Sequence, residues 1–245
     1  TAKKNGAMIR NFCELVAFEI ENGMIVGADV TDLRTGRVER IRADAVVSAT
    51  GAWAGLVARK AGVDMPVTPA PGTMVAVKRR LNNMVVSHLH RAGAGDIIVP
   101  QRGLSIIGST QWTTDDRDTV EVPEEDIEYL LRRADELIPS FSQTPFHAAW
   151  SACRPLAGSA ADADGGRELS RDFSVIDHGA RDRVSGFLSV VGGKATVLRG
   201  MAEKTGDVIC DLFGVRERCR TATVPLLPHR AFYNPALVSP PTERA

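Results

Sequence analysis

A glycine–lysine turn limits the folds open to this chain more than any other feature. The sequence SVVGGKATVLRGMAEKTGDVI occupies residues 189–209. An apolar run, two glycines and an amphipathic stretch in that order are typical of a strand, a tight turn and the start of a helix. Because a helix N-terminus carries partial positive charge, the adjacent Lys194 favours an anion at this turn.

Two familiar phosphate-binding motifs do not fit the turn. Gly186 lies six residues before Gly192, the wrong spacing for GxxxxGK[ST], and Ala195 replaces the Ser or Thr of that motif. The GxGxxG dinucleotide fingerprint is also missing, because Gly93-Ala94-Gly95 meets Ile98 where the third glycine belongs. The turn is either an anion site of another kind or a device that lets a helix pack close to a strand.

Arg154 and Arg171 are further candidates for binding an anion. Arg154 lies in a predicted strand directly before a proline, and Arg171 begins the next predicted strand. A guanidinium presents a planar fork of donors that suits a phosphate or carboxylate, and it is costly among apolar strands without an anion. Surface salt bridges with neighbouring aspartates are the alternative, which weakens if Lys194 converges on the same pocket.

The composition excludes several functional classes. The 245 residues carry a net charge of zero, which gives no reason to expect a nucleic-acid partner. No apolar run approaches the roughly 18 residues of a membrane span. The four cysteines are scattered without a CxxC pair, so we expect reduced thiols and no metal site. The first residue is Thr1, and TAKKNG resembles the end of a helix, so we expect a segment of a longer protein.

Turn and periodicity patterns predict the elements along the chain. Glu21-Asn22-Gly23 predicts a hairpin, and the apolar periodicity after Pro123 predicts a helix. The other predicted elements are a turn at 34–37, a short strand at 45–49, a short helix ending near Gly62, a strand that follows the prolines at 69 and 71, a hairpin around 101–103, a strand through Arg154, a strand after Arg171 and an irregular tail after residue 218.

The chain resembles FAD-dependent glycerol-3-phosphate dehydrogenases in four motifs that occur in the same order. They are DIIVPQRGLSIIGST, SACRPLAG, LSRDFSVID and SVVGGKATVLRGMAE, and the resemblance extends from residue 1 to about residue 218. AVVSATGAWAG also resembles the ATG strand of flavoproteins with the glutathione-reductase-like fold. Within the family, the segments LNN and GDIIVP are most similar to the A-subunit type of the anaerobic enzyme.

The resemblance implies an α/β (α+β) fold, a partial glutathione-reductase-like FAD domain with an inserted antiparallel-sheet substrate domain. Residues 1–66 and 172–218 would belong to the FAD domain, 67–171 to the substrate domain and 219–245 to a tail. The family's N-terminal βαβ unit, with its GxGxxG, is expected before Thr1, and its iron–sulfur cysteines after the tail. The chain is therefore predicted to be a truncated, inactive segment that binds FAD weakly or not at all.

Site residues follow from matching each motif to its place in this sequence. The resemblance implies that Arg154 and Arg171 grip a substrate phosphate, with Lys194 and Thr196 lining the pocket shared by flavin and substrate. His88 is the candidate catalytic base, and Lys194 and Thr196 are also expected to take part in catalysis. The residues expected to contact FAD are Thr50, Gly51, Trp53, Gly192, Gly193, Lys194, Ala195 and Thr196. The family pattern GGKxTTxR is broken only by Val197, which replaces the second threonine.

The activity implied is oxidation of sn-glycerol 3-phosphate to dihydroxyacetone phosphate by hydride transfer to FAD. Electrons would pass to a quinone pool through partner subunits of a membrane-associated complex, which places the protein in the cytoplasm at the inner face of the cell membrane. One alternative is another FAD-dependent amino-acid or hydroxy-acid oxidase of the same superfamily. The other is a non-catalytic module that binds a phosphorylated ligand or a partner.

Overall fold

The computed structural model describes residues 1–88, 97–158, 172–217 and 219–233. Its strands are β1 (Cys13–Glu21), β2 (Met24–Asp32), β3 (Val38–Arg42), β4 (Val46–Ser48), β5 (Val67–Val77), β6 (Val86–Ser87), β7 (Ile97–Gln101), β8 (Leu104–Gly108), β9 (Phe146–Ala157), β10 (Phe173–Asp177) and β11 (Phe187–Gly192). Its α-helices are α1 (Ala54–Lys60), α2 (Glu124–Leu137), α3 (His178–Asp182) and α4 (Leu198–Leu212), and 3-10 helices span Lys3–Asn5, Gly51–Trp53, Ala195–Val197 and His229–Tyr233.

The first sheet, β1-β2-β3, confirms the predicted hairpin and the turn that follows it. Asn22 and Gly23 join β1 to β2 with φ angles of 51° and 78°. A two-residue turn with both φ angles positive matches the twist of antiparallel strands, which is why Asn-Gly is a strong hairpin sequence. In the second turn, the Asp32 carboxylate accepts hydrogen bonds from the backbone N–H groups of Arg34 and Thr35.

The second sheet, β10-β11-β4, brings together strands that are far apart in sequence. β11 pairs antiparallel with β10 and parallel with β4, so that Ser189 lies opposite Ser48. α1 packs on this sheet, and one hydrophobic core forms around Ala54, Ala58, Phe187 and Val191. Because the parallel strands β4 and β11 run in the same direction, their carboxyl ends lie at one edge of the sheet.

The third sheet has five strands in the order β6-β7-β8-β5-β9 and includes the predicted hairpin of β7 and β8. α2 begins after Pro123, as predicted, with three acidic residues in its first turn. It covers the sheet through a second core that includes Val75, Ile107, Leu130 and Phe141. All five strands come from residues 67–157, inside the predicted substrate domain, whose boundaries remain a prediction.

β5 differs from the expectation that prolines precede a strand, because Pro69 and Pro71 lie inside it. Their carbonyl oxygens accept hydrogen bonds from the backbone N–H groups of Thr114 and Trp112, both at 3.2 Å. Proline lacks only the donor, so a strand position that uses the carbonyl tolerates it. The chain after β8 therefore continues beside β5. Within the described ranges, no helix is long and apolar enough to cross a membrane.

Candidate functional site

The glycine–lysine turn has the predicted strand–turn–helix arrangement. Gly192, the last residue of β11, and Gly193 have φ angles of 78° and 81°, in the left-handed region that favours glycine. A Cβ atom on Gly192 would lie 2.3 Å from the carbonyl oxygen of Asp172. Lys194 is exposed, and a 3-10 turn at Ala195–Val197 precedes α4. The α-helix thus begins one short turn later than the lysine.

The carboxyl end of β4 lies beside this turn. Thr50 is exposed and its hydroxyl is 2.9 Å from the hydroxyl of Ser48. Gly51 follows with a φ of 58°, and apart from its chain neighbours no described residue has an atom within 4 Å of the position that its Cβ would occupy. In open α/β sheets, ligands bind at the carboxyl ends of the parallel strands. Four sequence-predicted cofactor residues, Thr50, Gly51, Gly192 and Gly193, therefore lie at one such edge.

Trp53, the remaining predicted cofactor residue on this side, ends the 3-10 helix at Gly51–Trp53. Its side chain is 41% exposed, and its indole N–H donates to Asp118 Oδ1 at 2.8 Å. The hydrogen bond holds the segment that follows β8 against the end of β4.

A cavity of about 180 Å³ lies between β9 and the glycine–lysine turn. It is lined by Arg154, Pro155 and Leu156 on one side and by Gly192, Gly193 and Lys194 on the other. The structure thus brings together an arginine and a lysine that are 40 residues apart in sequence. Two cationic side chains beside backbone that only glycine can adopt form a surface suited to an anion.

The Arg154 side chain extends from β9 across β5, and its guanidinium is surrounded by oxygen acceptors on β5 and on the segment that follows β8. One terminal nitrogen donates to the carbonyl oxygens of Ala70 and Pro71, at 3.4 and 3.3 Å. The other donates to the Ser109 hydroxyl and, at 3.3 Å, to the Thr110 carbonyl oxygen. We call these four acceptors the Arg154 cradle. Because a guanidinium is a rigid plane, several acceptors fix its orientation as well as its position.

Gly72 makes the cradle possible, and sequence reasoning missed it. A Cβ atom on Gly72 would lie 2.4 Å from Arg154 Nη2 and 2.3 Å from the Thr110 carbonyl oxygen. Such distances are far inside van der Waals contact, so only glycine lets the guanidinium cross the strand. A glycine inside a predicted strand is a known sign of close backbone approach and could have identified Gly72. Ser109 and Thr110 end the motif DIIVPQRGLSIIGST, but the motif by itself gave them no role.

Cys153, the neighbour of Arg154 on β9, is a neutral thiol at physiological pH. Burial is the largest influence on this thiol and raises its pKa above the ordinary value, although nearby arginines oppose the shift. Since the thiolate is the reactive form, Cys153 is unsuited to nucleophilic chemistry here.

The other predicted site residues lie in three different places. Ala195 and Thr196 are exposed in the 3-10 turn after Lys194. His88 follows β6, where its Nε2 lies 3.8 Å from Glu136 Oε2. Ser87 pairs with Ile97, and Ile97 pairs with Gly108, so His88 lies at the same end of the sheet as Ser109. Two strand spacings separate them, or roughly 10 Å. Arg171 is outside the described residues.

Comparison with known proteins identifies the family. The family model described as FAD dependent oxidoreductase matches residues 1–197. The chain belongs to this family. It is 35% identical, over 238 residues, to the A1 subunit of the anaerobic glycerol-3-phosphate dehydrogenase of Haloferax volcanii, covering 92% of this chain and 40% of that protein. Identity to the corresponding A-subunit of Escherichia coli K12 is 33% over 227 residues, with 92% and 42% covered.

Solved structures of this family share the fold. Glycerol-3-phosphate dehydrogenase from Bacillus halodurans, complexed with FAD, gives a TM-score of 0.69 at 26% identity, covering 87% of this chain and 41% of that one. Glycine oxidase from Geobacillus kaustophilus gives 0.63 at 26% identity, covering 87% and 51%. These findings confirm the predicted fold class, flavin family and resemblance to glycerol-3-phosphate dehydrogenases. The chain spans about two fifths of the length of the curated relatives that it matches.

The described residues fit the cofactor of the family. Gly51 and Gly192 lie at the carboxyl ends of adjacent parallel strands, and among the described residues only the chain neighbours of Gly51 come within 4 Å of its Cβ position. The neighbouring Thr50 hydroxyl and the partly exposed Trp53 ring offer polar and aromatic contacts of the kind that a dinucleotide uses.

Proposed function

We propose that the protein to which this chain belongs oxidises sn-glycerol 3-phosphate to dihydroxyacetone phosphate, with FAD as the hydride acceptor. The observation that carries the proposal is the cavity in which Arg154 and Lys194 meet the Gly192–Gly193 turn. The names of the relatives, which are subunits of anaerobic glycerol-3-phosphate dehydrogenases, support this choice of substrate. The activity is proposed for the whole protein because this chain covers only part of each relative.

Arg154 and Lys194 would bind the phosphate of the substrate. The cradle accepts from both terminal nitrogens and fixes the guanidinium before any ligand arrives, so Arg154 would attract the phosphate through its positive charge. Lys194 supplies a second positive charge from an exposed side chain with a flexible stem. Arg171 is proposed to join them, as its motif implies. Holding the phosphate would place the carbinol carbon near the reacting centre and lower the entropic part of the barrier.

Thr50, Gly51, Trp53 and the turn from Gly192 to Thr196 would hold the flavin. When bound, FAD supplies the hydride acceptor that no amino-acid side chain provides. The backbone N–H groups at the start of the 3-10 turn and of α4 would favour negative charge on the cofactor. We also propose that residues outside this chain complete the flavin site, so the chain alone would bind FAD weakly and be inactive.

His88 is the proposed base that takes the proton from the C2 hydroxyl of the substrate. Its location at the Ser109 end of the third sheet supports the assignment, and an imidazole suits proton transfer near neutral pH. Transfer of electrons to a quinone through partner subunits, at the inner face of the cell membrane, is a further proposal. It draws on the word "anaerobic" and the subunit designation in the names of the relatives.

The role of Arg154 in binding phosphate is tested by steady-state kinetics on the whole flavin-loaded protein, as wild type and as Arg154→Ala. Losing the positive charge beside the phosphate should raise the KM for glycerol 3-phosphate by about 30-fold. The KM for glycerol, which lacks phosphate, should change by less than about twofold. Arg132→Ala, at an exposed position on α2, is the matched control and should behave as wild type.

Other outcomes would select the alternatives. Equal effects on both substrates would contradict the phosphate role of Arg154. Oxidation of glycine in preference to glycerol 3-phosphate would favour an amino-acid oxidase, a class represented among the structural neighbours. Thermal stabilisation by glycerol 3-phosphate without turnover would favour a non-catalytic binding module.

A further inference from the structure

We propose that Asp126, at the start of α2, is a positioning residue that sets the orientation of the Arg154 guanidinium through Thr110. The inference rests on the proposed function insofar as Arg154 binds the substrate. Asp126 itself acts through other residues rather than on the substrate.

The Asp126 carboxylate anchors two buried threonines. Its Oδ2 accepts hydrogen bonds from the Thr73 hydroxyl at 2.7 Å and from the Thr110 hydroxyl at 2.6 Å. Thr73 is fully buried and Thr110 nearly so. Hydrogen bonds to an ionised acceptor are about twice as strong as those between neutral groups. The start of α2 is thereby tied to β5 and to the segment that follows β8.

The two threonines are also bound to each other, which completes their hydrogen bonding. The backbone N–H of Thr73 donates to the Thr110 hydroxyl at 2.9 Å, and the backbone N–H of Thr110 donates to the Thr73 carbonyl oxygen at 3.3 Å. The Ser151 hydroxyl lies 2.9 Å from that of Thr73. Since both threonine hydroxyls donate to Asp126, each accepts its other hydrogen bond. Such a saturated network holds one geometry because any rotation leaves a buried polar group unsatisfied.

Thr110 belongs to this network and to the Arg154 cradle at once. Its hydroxyl faces Asp126, whereas its carbonyl oxygen accepts from Arg154 Nη2 at 3.3 Å. The preceding residue, Ser109, accepts from the same nitrogen. Anchoring Thr110 therefore anchors one of the four cradle acceptors and the residue next to Ser109, which carries a second. Gly72 provides the space in which the guanidinium reaches them.

Removing the Asp126 carboxylate should release the fork without removing any residue that touches the substrate. In Asp126→Ala, the hydroxyls of Thr73 and Thr110 lose their common acceptor, so the backbone at Thr110 loses its tie to α2 and its carbonyl can leave Arg154. In Asp126→Asn, the amide oxygen can accept from both hydroxyls, so the cradle should persist. Glu125→Ala is the matched control because Glu125 is exposed in the same first turn of α2.

Crystal structures of the variants provide a test that does not depend on the reaction. We expect the Arg154 fork to leave the Thr110 carbonyl in Asp126→Ala and to stay in place in Asp126→Asn and Glu125→Ala. Thr110→Val, which removes the hydroxyl while preserving shape, should move the fork in the same way and serves if Asp126→Ala does not fold. In Gly72→Ala, the added methyl group prevents the Arg154 side chain from crossing β5, so this variant shows the position of the guanidinium outside the cradle. An unmoved fork in Asp126→Ala or Thr110→Val would overturn the proposal.

Kinetics on the flavin-loaded protein supply the second readout. The KM for glycerol 3-phosphate should rise about tenfold in Asp126→Ala, with kcat and the KM for glycerol within about threefold of wild type. Asp126→Asn should restore the wild-type KM. A role confined to folding would instead lower the amount of active protein and leave both KM values unchanged. If glycerol 3-phosphate is not a substrate, the proposed function fails, whereas the crystal structures still decide the role of Asp126.

Discussion

Two polar clusters lie beside strand β11, one in the core and one at the cavity where the strand ends. The enclosed one, which we call the His178 cluster, consists of His178, Asp182 and Ser189. The imidazole Nδ1 lies 2.6 Å from Asp182 Oδ2, and Nε2 lies 2.8 Å from the Ser189 hydroxyl. His178 also stacks on Phe187 with ring centroids 4.5 Å apart. Three residues beyond Ser189, the strand ends in the glycine turn at the cavity.

Residue types alone would rank these two clusters in the wrong order. Ser, His and Asp are the components of a nucleophilic triad, and their distances here are short. However, His178 and Ser189 are both 0% exposed, so no substrate reaches them. Arg154 and Lys194 line a cavity instead. The comparison shows that access, rather than hydrogen bonding, separates a structural cluster from a candidate binding site.

The largest expected effect comes from breaking the enclosed cluster. His178→Ala leaves a cavity and an unsatisfied Ser189 hydroxyl, so the free energy of unfolding should fall by about 3 kcal/mol. The KM for glycerol 3-phosphate, measured on the fraction of the variant that folds, should not change. Urea unfolding measures the loss, with His147→Ala, at an exposed position, as the control that should change stability by less than about 0.5 kcal/mol. A large change in KM with little loss of stability would reverse the roles assigned to the two clusters.

A smaller loss is expected at the open end of the same strand. Gly192→Ala places a methyl group 2.3 Å from the Asp172 carbonyl oxygen in a left-handed conformation, and should cost about 2 kcal/mol of stability. Gly206→Ala is the matched control, because nothing lies near its Cβ position within α4. That change should instead stabilise the protein by about 0.5 to 1 kcal/mol. Thermal or urea unfolding measures the stability of both variants. Equal losses of stability would contradict a special requirement for glycine at position 192.

The smallest loss of stability at neutral pH is expected for Asp182→Asn. This variant tests the charged carboxylate of the His178 cluster through the pH dependence of stability. Burial raises the pKa of Asp182, but hydrogen bonds from His178 and Arg181 outweigh it, so the pKa lies below its ordinary value. A carboxylate whose pKa is lowered by folding stabilises the fold at pH values above its ordinary pKa. This contribution is lost as the pH falls through the pKa of the folded state. The stability difference between wild type and Asp182→Asn should therefore narrow below about pH 4.

Urea unfolding at several pH values measures this narrowing. Asp44→Asn, at an exposed position, is the control and should follow wild type at every pH. A stability difference between wild type and Asp182→Asn that stays constant across the acid range would contradict the role of the charged carboxylate in the His178 cluster.

Much of the local structure was predictable because its causes lie within a few residues. Asn22-Gly23 specifies a two-residue hairpin by its positive φ angles, and the acids after Pro123 favour the start of α2. The strand, glycine turn and helix around Lys194 follow from the same kind of pattern. Local patterns place the prolines of β5 outside the strand, because the sequence does not show which backbone groups a neighbouring strand will use.

The candidate site was only partly predictable. Arg154, Lys194 and the glycines were identified from their chemistry and from the family resemblance, and the structure places all of them around one cavity. Gly72, Ser109, Thr110 and Asp126 were not identified as site residues, although Ser109 and Thr110 end the motif DIIVPQRGLSIIGST. Their roles depend on the pairing of β5 with β9 and on the path of the chain after β8.

The sequence by itself determined the turns, the main helices and the residue types able to meet a flavin and an anion, since these depend on local backbone preferences and side-chain chemistry. The tertiary structure decided which polar residues are enclosed and which are accessible. It also decided how the Arg154 guanidinium is held, because residues 72, 110, 126 and 154 meet only through sheet pairing and helix packing. Long-range register, rather than local sequence, makes the difference between the His178 cluster and the cavity beside Lys194.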